Sequence, residues 1–181
     1  MNPIDILTEF YDPESTLFKT LVTHSRLVAK KALHVAGNVP HLKPDLEFIE
    51  EACLLHDIGI YLTHAPQIGC YGANAYILHG YLGGNILKEK GLNRHAMVCE
   101  RHPGTGISAE AIKTHQLDLP ERDMLPVSIE EQIICFADKF YSKTPESLQV
   151  EKSVDDIVSM LSRYGNEQSQ TFLAWLKLFG C

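Results

Sequence analysis

Apolar residues recur at helical spacing along most of the chain. Between Ser15 and Ala36 they fall at 17, 21, 27, 28, 32 and 35, the stripe of an amphipathic helix, and Gly37 predicts its end. Pro40 and Pro44 bracket a loop. Asp45 is placed to cap a second helix that turns Phe48, Ile49, Ala52 and Leu55 inward, with Gly59 as its C-terminal glycine. Residues 60–74 hold Gly, Pro and Tyr without a period and read as an irregular loop. Further helices are predicted over 75–90, ending before Gly91, and from Asn93, as cap, to His102, where Pro103 restricts the residue before it. A short helix at 108–114 lies inside a proline-containing stretch; longer ones follow at 128–142, 152–164 and 167–179, the last two around Gly165. Strand signals are few. The pattern predicts one all-α domain, with the last two helices as a cover or as an oligomer face. The stripe Phe172, Leu173, Leu176 and Phe179 beside Trp175 reads as core, with a homo-oligomer interface as its alternative.

Composition narrows the function classes. Hydrophobic residues make up 45% and charged residues 22% of 181, an ordinary globular balance. The net charge of −7 argues against a nucleic-acid polymer as partner and leaves room for a small phosphorylated molecule. No apolar run is long enough to span a bilayer, so no membrane partner is expected. The start, MNPIDILTEF, lacks a basic n-region and apolar h-region. Cys181, at the very end, is not placed for prenylation. Cysteines 53, 70, 99, 135 and 181 are odd in number and form no CxxC pair. They read as reduced core thiols of a cytoplasmic protein.

The informative residues are polar ones on apolar stripes. His24 shares a face with Leu17 and Val28; His56 and Asp57 sit in "LLHDIGI"; His79 aligns with Leu82, Gly83 and Ile86; His102 aligns with Val98 and Cys99; Asp138 aligns with Ile134 and Tyr141. Each taken singly reads as a satisfied core residue, and Asp138 as the partner of a lysine. Together they turn four imidazoles and two carboxylates inward from five segments. Burying such groups unpaired costs several kcal/mol each, as an order of magnitude ~2–7. A divalent cation removes that cost, and neutral His with ionised Asp suits borderline and harder metals. His56, Asp57 and His102 also fall near predicted helix C-termini, whose carbonyls favour a cation.

The order H…HD…H…H…D, carried by "THSRLVAKKALHVA", "ACLLHDIG", "LHGYLGGNIL", "VCERHPGTGIS" and "CFADKF", resembles the HD superfamily of metal-dependent phosphohydrolases. The His79 and His102 segments look like its two-metal subset, which includes HD-GYP phosphodiesterases and certain diadenosine-tetraphosphate hydrolases. "ERHPGTGIS" with "LPVSIEEQIICFADKF" looks closest to small stand-alone HD hydrolases. The resemblance implies an HD-domain helical bundle over 1–181, with its core at about 15–143 and a C-terminal helical extension at about 150–181. It implies one ion on His24, His56, Asp57 and Asp138, and a second on His79 and His102 with Asp57 shared. The cofactor would be one or two divalent transition-metal ions (Fe, Mn, Co, Ni or Zn). Catalysis would centre on His56 and Asp57, with a metal-bound hydroxide as nucleophile, on a phosphoester or phosphoanhydride of a nucleotide-like molecule. The same ligand set leaves two alternatives: a non-catalytic nucleotide-binding signalling module and a di-iron oxygenase.

The chain also departs from the family pattern. Many relatives read HDIGK, and here Ile60 takes the lysine's place. Lys139, Arg101 and Arg26 are the candidate replacements. His64 and Tyr71, from the loop following the HD pair, are candidates for contacting substrate, with an ordinary surface loop as the alternative. The tripeptide GYP is absent and "PGTG" only partly similar, so cyclic-dinucleotide hydrolysis is not assigned. His95 reads as core or as support behind the ligands, and His34, His41 and His115 as surface. Cys53 lies three residues before His56, but its apolar setting speaks against a nucleophile. "GYLGGN" has neither a preceding strand nor a phosphate-loop lysine; Gly83 and Gly84 read as small-residue packing between helices.

Overall fold

Hydroxyl and carboxylate side chains start most of the helices. The computed structural model describes residues 1–180. Asn2 caps α1 (Pro3–Leu7) and Ser15 caps α2 (Thr16–Asn38), its Oγ accepting from Phe18 N. Asp45 caps α3 (Leu46–Leu55) by accepting from Phe48 N, as its position predicts. A short 3-10 turn, Tyr76–Leu78, runs into α4 (His79–Glu89), followed by α5 (Asn93–Arg101). Ser108, Ser128 and Ser153 cap α6 (Ala109–Thr114), α7 (Ile129–Asp138) and α8 (Val154–Ser162); α9 (Asn166–Phe179) ends on a left-handed Gly180. The loop 60–74 carries a two-residue antiparallel ladder, β1 (His64–Ala65) with β2 (Cys70–Tyr71), pairing His64 with Tyr71. The fold is all-α apart from this ladder and isolated bridges.

Four boundaries differ from the pattern's expectation. Gly37 does not stop α2, which runs on to Asn38 until Pro40, with no amide hydrogen to donate, begins the next turn. Asn93 is the first residue of α5 rather than its cap. α7 stops at Asp138, because Phe140 and Tyr141 bond back only three residues, to Ala137 and Asp138. Gly59 has a right-handed backbone (φ −84°) and is no helix-ending glycine of the left-handed kind. It serves close approach: a Cβ there would overlap the carbonyl oxygen of His79 and lie 2.5 Å from Gly83 N.

α2, α3, α7, α8 and α9 share one apolar core that includes Val28, Ile49, Ile134, Phe136, Ile157 and Phe172. Phe136 stacks on Phe172 (centroids 5.0 Å) and meets Phe179 edge-on. The last two helices are therefore a cover. Leu173, 43% exposed, leaves the predicted stripe, since it stands about 100° round the helix from buried Phe172. A second apolar cluster joins Leu21, Leu55, Ile58, Ile60, Leu87 and Cys99. Small residues bring α4 against the HD turn and α5: a Cβ on Gly83 would meet Cys99 Sγ at 2.5 Å, and one on Gly80 would meet Cys99 O at 2.5 Å. Among the described residues no helix is long and apolar enough to cross a membrane. Cys53, Cys70, Cys99 and Cys135 are buried free thiols; Cys181 lies outside the described residues.

Candidate metal centre

The centre lies where three helices end. His56 follows the last residue of α3, with Asp57 in the turn after it; His102 follows α5; Asp138 closes α7. His79 opens α4, and His24 projects from the middle of α2. Three C-terminal carbonyl ends against one N-terminal end leave the site favourable to cations. All six side chains are buried.

Asp57 divides them. Its Oδ2 lies 2.9 Å from His56 Nε2 and 3.3 Å from His24 Nε2. Asp138 Oδ1 completes that side, 3.0 Å from His24 Nε2 and 3.3 Å from His56 Nε2. Asp57 Oδ1, on the other side, lies 3.4 Å from both His79 Nε2 and His102 Nε2. Two donor sets result, His24–His56–Asp57–Asp138 and Asp57–His79–His102, each with its donor atoms within 4.8 Å of one another. One carboxylate serves both.

Three imidazoles are held by the backbone. Nδ1 of His56, His79 and His102 lies 2.6, 2.6 and 2.7 Å from the carbonyl oxygens of Cys53, Tyr76 and Cys99, each three residues earlier. A carbonyl only accepts, so each Nδ1 carries the hydrogen and each Nε2 is left to face the centre. Burial, followed by repulsion from His102, lowers His79 to about 3; burial also lowers His102. Both rings are then neutral, and their Nε2 lone pairs face each other at 3.0 Å with no hydrogen between them. His24 Nδ1 is buried without a hydrogen-bond partner, and Asp57 Oδ1 faces two Nε2 atoms that carry no hydrogen, so it is unsatisfied as well. Cations held by these side chains would relieve both the lone-pair repulsion and the unsatisfied oxygen, so the residues fit divalent ions.

The carboxylates remain charged. Burial pushes Asp57 and Asp138 up, but His56 and Lys143 beside the first, and Lys139 and His24 beside the second, hold both well below the usual range. Burial opposes charge on His56 as well, yet the two carboxylates raise it to about 9, so a cation taking its Nε2 would have to displace a proton there.

The substrate-contact candidates separate. Lys139 is buried, with Nζ 2.8 Å from Asp138 Oδ2 and 3.0 Å from His102 O, so it braces the centre. Arg101 pairs with Glu131 at 2.8 Å. Arg26 is exposed, about 200° round α2 from His24. His64 and Tyr71 are exposed partners in the ladder. His95 packs edge-on against Phe48 and lies 3.5 Å from Glu51, outside the centre. Ile60 is buried in apolar packing. The Cys53 carbonyl orients His56, while burial pushes its thiol well up, against a nucleophilic role. Two residues at the centre escaped the sequence reading. Lys143 Nζ lies 2.7 Å from Asp57 Oδ2, and Tyr76 stacks on His79 at 4.6 Å. Both lie outside the long helices, where no period marks an inward face.

A helical fold with a shared carboxylate between two buried His/Asp sets defines a class of helical domain whose centre could hold metal ions. Residues 21–142 match the HD domain family, and the chain belongs to that family. Uncharacterized protein MJ0778 of Methanocaldococcus jannaschii is 32% identical over 148 residues, covering 80% of this chain and 77% of that one. A tRNA (cytidine(56)-2'-O)-methyltransferase of Picrophilus torridus is 33% identical over 123 residues, and one of Thermoplasma volcanium 30% over 138. The matches take 67% and 75% of this chain but only 31% and 36% of those enzymes. Among solved structures, the HD domain of the Listeria monocytogenes phosphodiesterase PgpH, in complex with cyclic-di-AMP, shares the fold. Its TM-score is 0.51 at 18% identity, over 90% of this chain and 91% of that one.

Proposed function

We propose that this protein is a metal-dependent phosphohydrolase that cleaves a phosphoester or phosphoanhydride of a small, nucleotide-like molecule at a centre for two divalent ions. The observation that carries the reading is the Asp57 carboxylate, one oxygen turned to each donor set, next to imidazole lone pairs 3.0 Å apart. When bound, two such ions lower the pKa of a water and offset charge on phosphoryl oxygens. Asp57 and Asp138 supply the fixed negative charge that holds cations. Backbone carbonyls keep His56, His79 and His102 in the donor tautomer, and Lys139 braces Asp138. Four imidazoles favour a transition metal over magnesium. Membership of the HD domain family supports hydrolysis, and the PgpH structure supports a nucleotide ligand. The methyltransferase names belong to proteins of which this chain spans about a third, and they do not inform the reading.

The test is metal analysis of protein purified without oxygen. It is followed by p-nitrophenyl phosphate, bis-p-nitrophenyl phosphate and a nucleotide panel including cyclic-di-AMP, each with Fe, Mn, Co, Ni and Mg. About two metal equivalents and phosphate release that a chelator abolishes are expected. Metal-loaded protein that hydrolyses nothing in the panel, or that consumes oxygen with a redox-dependent spectrum, overturns the assignment.

A further inference from the structure

The reading above leaves the substrate's phosphate without a cation of its own. Ile60 is apolar and fully buried, Arg101 is tied to Glu131, and Lys139 already has two partners, Asp138 and His102 O. Lys143 differs from all three. It comes from the segment after α7, its ammonium lies 2.7 Å from Asp57 Oδ2, and its side chain is 11% exposed. Of the six candidate ligands, Asp138 (9%), His79 (6%) and His102 (2%) are slightly exposed, while His24, His56 and Asp57 are not exposed at all. Lys143 therefore reaches the ligands from the side open to solvent.

Its contact with Asp57 conflicts with a divalent ion. His24 Nε2 and His56 Nε2 face the same Oδ2, so an ion held by that set takes the oxygen's lone pairs and repels an ammonium beside it. The lysine stem has four rotatable carbons and a compact charge, so Nζ can move outward while the backbone stays in place. The flanking backbone is fastened: Ser142 Oγ accepts from Thr144 N, and Thr144 Oγ1 bonds with Ser142 Oγ at 2.9 Å and Ser147 Oγ at 2.6 Å. An ammonium displaced by a short swing at the open side stands where an anionic group approaches the ions.

Resting on the phosphohydrolase reading, we propose that Lys143 is the substrate-binding cation of this centre, exchanging its Asp57 contact for a non-bridging phosphoryl oxygen when divalent ions are bound.

Mn²⁺ and inorganic phosphate serve as probes, titrated calorimetrically into wild type, Lys143→Met, Lys143→Gln and Lys143→Arg. The neutral variants are expected to keep the Mn²⁺ stoichiometry and to bind Mn²⁺ at least as tightly, since a competing cation is gone. Their Mn²⁺-loaded forms should bind phosphate about 10- to 100-fold more weakly, the scale of a lost charge-assisted hydrogen bond; Lys143→Arg should stay within about 5-fold of wild type. Unchanged phosphate affinity in whichever neutral variant folds overturns the Lys143 assignment and leaves the metal centre standing. Loss of Mn²⁺ binding in the neutral variants also overturns it, by making Lys143 a support of the centre. Absence of Mn²⁺ binding by wild type is a different failure, that of the underlying phosphohydrolase reading.

Discussion

Among the described residues Asp57 is the one side chain common to both candidate donor sets, so both proposed ions should depend on it. Asp57→Asn keeps the shape and replaces one anionic oxygen by an amide that cannot ligate through nitrogen. We expect it to lose both ions, whereas His79→Ala should lose only the ion on its own side. Metal per protein by mass spectrometry should then fall from about two to about none and about one respectively. A His79→Ala protein that retains wild-type stoichiometry would refute the two-set division. His24, His56, Asp57, His79, His102 and Asp138 were all legible in the sequence as polar residues on apolar helical stripes. Lys143 was not. It lies five residues beyond the end of α7, where helical periodicity no longer says which way a side chain points. Ile60 drew attention to a missing charge but could not say which segment replaces it.

At the level of elements, the spacing between the HD turn, α4 and α5 sets the centre's dimensions. Gly59 meets the His79 carbonyl and Gly83 N, and Gly83 in turn meets Cys99, so a methyl group at either glycine has nowhere to go. Gly59→Ala is expected to cost about 3 kcal/mol of stability, at the upper end for overpacking. It should also weaken metal binding on the His79 side by pushing that ring away from Asp57. Denaturant unfolding and metal titration of the variant check both effects; wild-type stability would show that the turn absorbs the methyl group. The run "GYLGGN" announced close helix packing from its small residues alone. The role of Gly59 was not legible, because a glycine after a helix serves equally as a left-handed cap or as a close contact, and only its partner across the interface distinguishes them. The start of α3 was legible through its cap Asp45; the end of α7 was not, since Phe140 and Tyr141 continue an apolar pattern past the last α-helical bond.

Across the whole molecule, we propose that residues 1–181 fold as one unit, because α8 and α9 complete the core that α2, α3 and α7 begin. A second device ties α4 and α5 to the segment after α6. Glu100, fully buried, accepts from Arg122 Nη1 and Nη2 at 2.6 and 2.7 Å and from Lys88 Nζ at 3.0 Å. Burial pushes its carboxyl up, but hydrogen bonds from Arg122 and Lys88 prevail and hold it below its ordinary 4.5. A carboxyl lowered on folding stabilises fully above its unfolded value and ceases to as pH falls through the folded one. Glu100→Gln should therefore cost about 2 kcal/mol near neutral pH, with the gap to wild type closing below pH 4.5. Thermal melts across roughly pH 3–7 check this; a gap independent of pH would assign the loss to packing.

The unequal donor sets imply an order of filling. One side offers four side chains and the other three, with Asp57 common to both. The richer side should load first and fix the tilt of the common carboxylate, so the second ion arrives at a ligand already turned toward it. If the proposed two-ion reading holds, the poorer side would then decide at what metal supply the protein works. Under scarcity, a half-loaded population would accumulate: folded and charged, but one ion short of the pair.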